Sequence, residues 1–170
     1  MLLFSGTKIL ILLKKKAYSV IYITGGEPFL QDLEDIIPLW LDNPYLKWIR
    51  ITSNMSLPSE RYLKVREIIE SNGKSFLLKS SYHNGSFTDF VNKCKTCKSD
   101  FINLVCNDNN YRWYKDELNK FPEYDNNKTL GDININWMVE RLTGGGIPDT
   151  VKTIPRKSST FSMDNGCTCS

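Results

Sequence analysis

The chain has 170 residues, of which 41% are hydrophobic and 24% charged, and its formal net charge is +3. That length allows one domain with a sizeable core, and the composition is that of a globular chain rather than a disordered or collagen-like one. So small a positive excess permits anionic ligands but lacks the concentrated basic face of a nucleic-acid binder, and no apolar run approaches membrane-spanning length.

Taken in order, the apolar opening MLLFSGTKILILL lacks a leading positive cluster, is interrupted by Lys8 and shows no small-residue cleavage site before Lys14. It does not read as a secretory signal, and a cytoplasmic location is the expectation. Residues 9–18 look like the end of a helix whose last turn carries Lys14, Lys15 and Lys16, cations that suit the negative end of the helix dipole. Val20, Ile21, Tyr22 and Ile23 form a short β-branched and aromatic run of strand character. It stops at Thr24, Gly25 and Gly26, followed by Glu27 and Pro28. Two glycines at a strand end allow positive φ and close approach of a ligand to the backbone. Pro28 biases Glu27 towards extended backbone, so the acid stands on a ledge after the strand.

Leu30, Leu33, Ile36, Ile37, Trp40 and Leu41 then repeat at helical spacing, ended by Asp42, Asn43 and Pro44. Trp48, Ile49, Ile51 and Thr52 make a second strand that stops at Ser53 and Asn54. Pro58 opens a helix faced by Tyr62, Val65, Ile68 and Ile69 and closed by Asn72 and Gly73. Residues 75–81 make a third strand, ending in Ser80, Ser81, Tyr82 and His83. Ser86 with Asp89 three residues on reads as a capping box for a helix with Phe87, Phe90, Val91, Cys94 and Cys97 on one stripe. A fourth strand over 101–106 precedes the polar cluster of Asn107, Asp108, Asn109 and Asn110. The next helix carries Tyr111, Tyr114, Leu118 and Phe121 on one face, 123–128 reads as a polar loop, and 133–138 as a fifth strand. Gly144, Gly145 and Gly146 mark a break, and the chain is polar from Thr150 to its GCTCS end.

Strand–helix alternation with crossovers of this length argues for an α/β fold with a parallel sheet and right-handed connections. Periodicity does not separate a partial barrel from a doubly wound layer. In either, all strand carboxyl ends lie on one edge. Here that edge collects Gly25, Gly26 and Glu27, then Ser53 and Asn54, Ser80, Ser81 and His83, and Asn107 and Asp108: small or polar groups suited to an amino acid or a ribose.

At ITGGEP the sequence resembles the radical S-adenosylmethionine superfamily, whose members carry Gly-Gly-Glu-Pro at the end of the second strand of a partial (β/α) barrel. The strand ending near Thr52, Ser53 and Asn54 and the strand ending in Ser81, Tyr82 and His83 are similar too. The likeness covers roughly residues 7–140. It implies a partial barrel over 1–149 and a tail over 150–170, the latter opening towards a cysteine-rich auxiliary segment. It also implies that Gly25, Gly26, Glu27 and Pro28 cradle the cofactor's amino group, with Glu27 and backbone carbonyls as acceptors. Asn54, Ser80 and Ser81 are then the candidates for its ribose hydroxyls and carboxylate. A 4Fe–4S cluster and S-adenosylmethionine are the implied cofactors, cleaved reductively to a 5′-deoxyadenosyl radical that abstracts hydrogen from substrate. A small-molecule or peptide substrate and an electron donor such as flavodoxin or ferredoxin are the implied partners, with neither nucleic acid nor membrane.

The chain departs from that family in one respect. The cluster ligands, a Cys-x₃-Cys-x₂-Cys set upstream of the GGEP strand, have no counterpart, since Cys94 is the first cysteine. The first strand is missing as well. An amino-terminally shortened radical enzyme, inactive by itself, is the expectation; a non-catalytic module binding S-adenosylmethionine or a nucleotide is the alternative. A third class, an unrelated doubly wound nucleotide binder, lacks the Gly-x-Gly-x-x-Gly or phosphate-loop lysine it requires.

The five cysteines are an odd number without framework spacing and read as reduced thiols. Cys94 and Cys97 have the spacing of half a metal site, but their place on an apolar helical stripe makes them core residues. Cys167 and Cys169 supply another half only if the tail folds back. His83, the sole histidine, stands at a strand end, where a ligand role and a solvated turn are both open. Tyr111, Trp113 and Tyr114 beside Arg112 pack at helical spacing, which favours core over base stacking.

Overall fold

The computed structural model describes residues 18–126 and 128–139. The helix expected over 9–18, the glycine break at 144–146, and the tail over 150–170 with Cys167 and Cys169 therefore lie outside, or all but outside, the described residues.

Each β-branched or alternating run forms the strand it predicts: β1 (Val20–Ile23), β2 (Trp48–Ser53), β3 (Ser75–Ser81) and β4 (Phe101–Cys106). A seven-stranded sheet runs in the order β1-β2-β3-β4-β7-β6-β5, with β5 at Tyr124–Asp125, β6 at Thr129–Leu130 and β7 at Ile133–Val139. β1 to β4 and β7 are mutually parallel, and β6 and β5 add an antiparallel margin. Among the described residues the sheet is open, with β1 and β5 as its edges. The fold is thus mixed α/β, with a mostly parallel sheet.

Alternation within the strands shows where the core lies. Ile49 and Ile51 of β2, Phe76 and Leu78 of β3, and Ile102 and Leu104 of β4 are buried, and the register brings them to one face. Parallel neighbours taken in chain order, joined by right-handed crossovers, put every connecting helix on that same face. The opposite face, from Tyr22 and Trp48 to Met138, is half-buried or exposed at most positions.

The helical layer follows its sequence signals with one correction. The single helix expected over Leu30 to Leu41 is broken into a 3-10 turn at Pro28–Leu30, α1 (Leu33–Ile36) and α2 (Pro38–Leu41). Gln31 adopts extended backbone, and Pro38 has no N–H to continue the ladder. The four-residue spacing of Leu33, Ile37 and Leu41 still delivers one buried stripe, and those three are nearly inaccessible. α3 (Ser59–Ser71) buries Tyr62, Val65 and Ile69, and α4 (Phe87–Thr96) buries Phe87, Phe90, Val91 and Cys94. α5 (Tyr111–Leu118) buries Tyr114 and Leu118, and Phe121 lies past its end.

A second correction concerns 123–128, expected as a polar loop. It contains β5 and leads into β6, pairing Tyr124 with Leu130 and Asp125 with Thr129. The turn is closed by the Lys128 N–H donating to the Asp125 carbonyl. Two-residue strands are too short to show alternation, so only their pairing reveals them.

Ser86 caps α4, its hydroxyl oxygen accepting from the Asp89 N–H at 3.2 Å. Ser86→Ala is expected to lower stability by about 1 kcal/mol, and Ser86→Asp to restore it, measured by urea unfolding.

Candidate functional site

The strand-end ledge takes the conformation its residues dictate. Gly25 and Gly26 have φ of +95° and +56°, and a Cβ built on either meets nothing within 4 Å. Backbone conformation, not crowding, is what calls for glycine there. Glu27 follows in extended backbone (φ −116°, ψ 103°), as Pro28 requires, and Pro28 starts the 3-10 turn.

The Glu27 carboxylate turns back into the protein. Oε1 accepts from the Phe29 N–H at 3.2 Å, and Oε2 accepts from the Asn54 N–H at 2.7 Å. The Ser53 hydroxyl lies 2.9 Å from both oxygens and donates between them, while its own oxygen accepts from the Met55 N–H at 2.9 Å. One side chain thereby joins the ends of β1 and β2 through charge-assisted bonds. The sequence offers this carboxylate to a ligand's ammonium; in the structure it accepts from two backbone N–H groups and the Ser53 hydroxyl. The Glu27 carbonyl is also taken, by the Leu30 N–H. The backbone groups of Gly25 and Gly26 make no hydrogen bond among the described residues, and these are what the ledge leaves for a ligand.

The structure brings Asn54 to the ledge and ties down the loop behind it. Asn54 Oδ1 accepts from the Ser56 N–H at 2.9 Å. Met55 holds a left-handed φ of +60°, and its carbonyl accepts from Lys93 Nζ at 2.9 Å. Beside this loop, a cavity of about 270 Å³ is lined by Asn54, Ser56, His83, Asn84, Asp89 and Lys93 among others. His83 is an exposed member of that wall. Asp89, which the sequence offers only as part of a capping box, and Lys93 are not among the sequence-based site candidates, because a four-residue charge spacing on a helix ordinarily marks a solvated face.

The adjacent serines of β3 part company. Ser80 is fully buried on the helix side, its Oγ 2.6 Å from Ser99 Oγ, and is not brought to the ligand edge. Ser81 stands on the open face and accepts from Asn103 Nδ2 at 3.1 Å, while Asn103 Oδ1 accepts from Asn136 Nδ2 at 2.9 Å. Register aligns these three across β3, β4 and β7, giving the open face a bonded polar row. Asn103 and Asn136 were absent from the sequence-based site. The signal for them was asparagine at alternate strand positions, where nothing apolar is required. At the end of β4, Asn107 Oδ1 accepts from the Asn109 and Asn110 N–H groups, a turn-forming role.

The cysteines behave as core. Cys94, Cys97 and Cys106 are free and buried. Burial pushes the Cys94 and Cys106 thiols up to about 12 and raises that of Cys97. Metal ligation needs thiolates, which such values oppose. Among the described residues there is no group of three or more histidine, cysteine or acidic side chains able to hold a metal ion. The residues described therefore do not fit an iron–sulfur cluster. Trp113 and Tyr114 pack against Phe87 with ring centroids 5.7 and 5.9 Å away, so that aromatic group is packing. Among the described residues no helix is long and apolar enough to cross a membrane.

Comparison with protein-family profiles, curated proteins and solved structures finds no match for this chain.

Glu27→Gln replaces one carboxylate oxygen with an NH₂ that opposes one of the two backbone N–H donors. It is expected to cost about 1–3 kcal/mol, read from the urea midpoint. The thiols give a second expectation. Their folded values lie above the ordinary 9.0, so stability is intact below pH 9 and falls as pH rises towards 12. Alkylation at pH 8 followed by mass spectrometry is expected to leave Cys94 and Cys106 unmodified in the folded chain and to modify both in urea.

Proposed function

We propose that this chain is the S-adenosylmethionine-binding part of a radical S-adenosylmethionine-type fold, with its sheet as an arc of a partial (β/α) barrel. The single observation that carries the reading is the ledge: left-handed Gly25 and Gly26 with unbonded backbone groups, held after a parallel strand by Glu27. An ammonium needs acceptors, and carbonyls at such a bend suit it. Asn54 adjoins the ledge through the same clamp, and Ser81 belongs to the open face beside it. The barrel part of the reading is supported by strand order and by helices on one face, whereas a doubly wound sheet is covered on both.

When bound, S-adenosylmethionine supplies a sulfonium whose reductive cleavage is the family's radical source. The described residues do not supply the cluster for that step, so their own contribution is to bind and orient the cofactor. Binding without catalysis is accordingly the activity proposed for the polypeptide by itself. An electron donor, a small-molecule or peptide substrate and a cytoplasmic setting belong to the same proposal.

Calorimetry on the full chain without iron is expected to show saturable binding of S-adenosylmethionine. Gly25→Val, which cannot hold a φ of +95° without strain, is expected to weaken it at least tenfold. With iron, sulfide and reductant added, no 5′-deoxyadenosine is expected. A folded chain giving no saturable heat would sink the reading.

A further inference from the structure

The face of the sheet opposite the described helices carries two neighbouring cations. Tyr22 pairs with Arg50 and Thr52 with Lys79 in the parallel register, so all four stand on that face. Arg50 and Lys79 are the cations at its described strand positions; the one carboxylate that the register puts there, Asp125 of β5, is four strands away from Lys79 across the sheet.

Other half-buried cations have acceptors. Arg66 pairs with Glu70 and Lys95 with Glu123. Arg50 and Lys79 make no hydrogen bond or ion pair among the described residues. Arg50 Nε is shielded from solvent and unbonded, and its guanidinium carbon lies 6.0 Å from the centroid of the Trp48 ring. Lys79 Nζ sits 5.7 Å from the Tyr22 ring centroid and 5.4 Å from that of Phe101. A shielded donor without an acceptor is costly, and ring faces neutralise a cation only partly. An incoming oxyanion neutralises both cations, accepting from the terminal guanidinium nitrogens of Arg50 and from Lys79 Nζ.

The spacing permits one group to do so. The two cations lie on adjacent strands, two residues apart in register, which puts their Cα atoms roughly 8 Å apart. Both side chains are long enough to converge on one oxyanion. The Tyr22 hydroxyl and Thr52 Oγ1, 2.7 Å from each other, add donors on the same patch.

We propose that this face binds an oxyanion, phosphate or carboxylate, of a small-molecule substrate, with Arg50 and Lys79 supplying the positive charge. The proposal rests on the cofactor reading above and names the substrate class of that site. Arg50 precedes the β2 end by three residues and Lys79 the β3 end by two, so the oxyanion sits roughly 7–10 Å along the sheet from the ledge.

Amide NMR titrations of the full chain with inorganic phosphate and with acetate, at constant ionic strength, test it. Saturable shifts centred on residues 50, 52 and 79 are expected with at least one anion; which one binds tighter distinguishes a phosphate from a carboxylate group. Arg50→Gln and Lys79→Gln are each expected to weaken that binding about tenfold, as for a lost charged hydrogen bond, while Arg50→Lys retains part of it. Lys64→Gln, remote and exposed, is expected to leave it unchanged. Shifts that do not saturate, that map elsewhere, or that survive in both glutamine variants with native amide dispersion would overturn the proposal. S-adenosylmethionine binding is expected to stay within about threefold in those variants; a tenfold loss would assign the cations to the cofactor and overturn the substrate assignment. An unsubstituted chain that binds phosphate but not S-adenosylmethionine sinks the cofactor reading alone and supports the anion site.

Discussion

Everything at the strand-end edge hangs on the Glu27 carboxylate. It reaches from the end of β1 to Ser53 and the Asn54 N–H at the end of β2, and also receives the Phe29 N–H. Strand ends and 3-10 turns leave backbone donors without partners, and an ionised carboxylate satisfies two of them more strongly than a neutral acceptor would. With the carboxylate turned inward, the glycine backbone before it stays free, and the loop through Met55 is fixed against Lys93. The acid is therefore the support of the strand-end edge. The groups left unbonded there are backbone.

The second constraint is one-sidedness. Parallel strands added in chain order with right-handed crossovers stack their helices on one face, and that face takes the apolar half of every alternating strand. The other face is released from the demand for apolar side chains. It accordingly tolerates Arg50, Lys79 and the bonded row of Ser81, Asn103 and Asn136. Edge and open face meet at the carboxyl ends of β2 and β3, so the least apolar part of the sheet adjoins its most permissive backbone.

Much of this was legible from the sequence. The strand runs, the Ser86 cap, the stripe of Phe87 to Cys94 and the extended state of Glu27 before Pro28 all rest on interactions within a few residues, where local pattern and structure coincide. The break in the helix over Leu30 to Leu41 was legible too, because Pro38 stands inside the pattern, but apolar spacing masked it. The pairing of β5 with β6 was not, since two polar residues per strand show no period. Ser80 and Ser81 show the difference within a single dipeptide. Parity with Leu78 puts Ser80 in the core, and only the register to Asn103 gives Ser81 its partner.

By itself, the sequence determined the α/β alternation, the parallel strands, the buried stripes and the conformation of the Gly25–Gly26–Glu27–Pro28 ledge, because φ preference and hydrophobic period are properties of short stretches. Tertiary structure decided the rest: that Glu27 clamps β2, that the described helices lie on one side of the sheet, and that Arg50 and Lys79 share the other. These depend on contacts between residues up to about 30 positions apart, set by register and strand order, which no local pattern encodes.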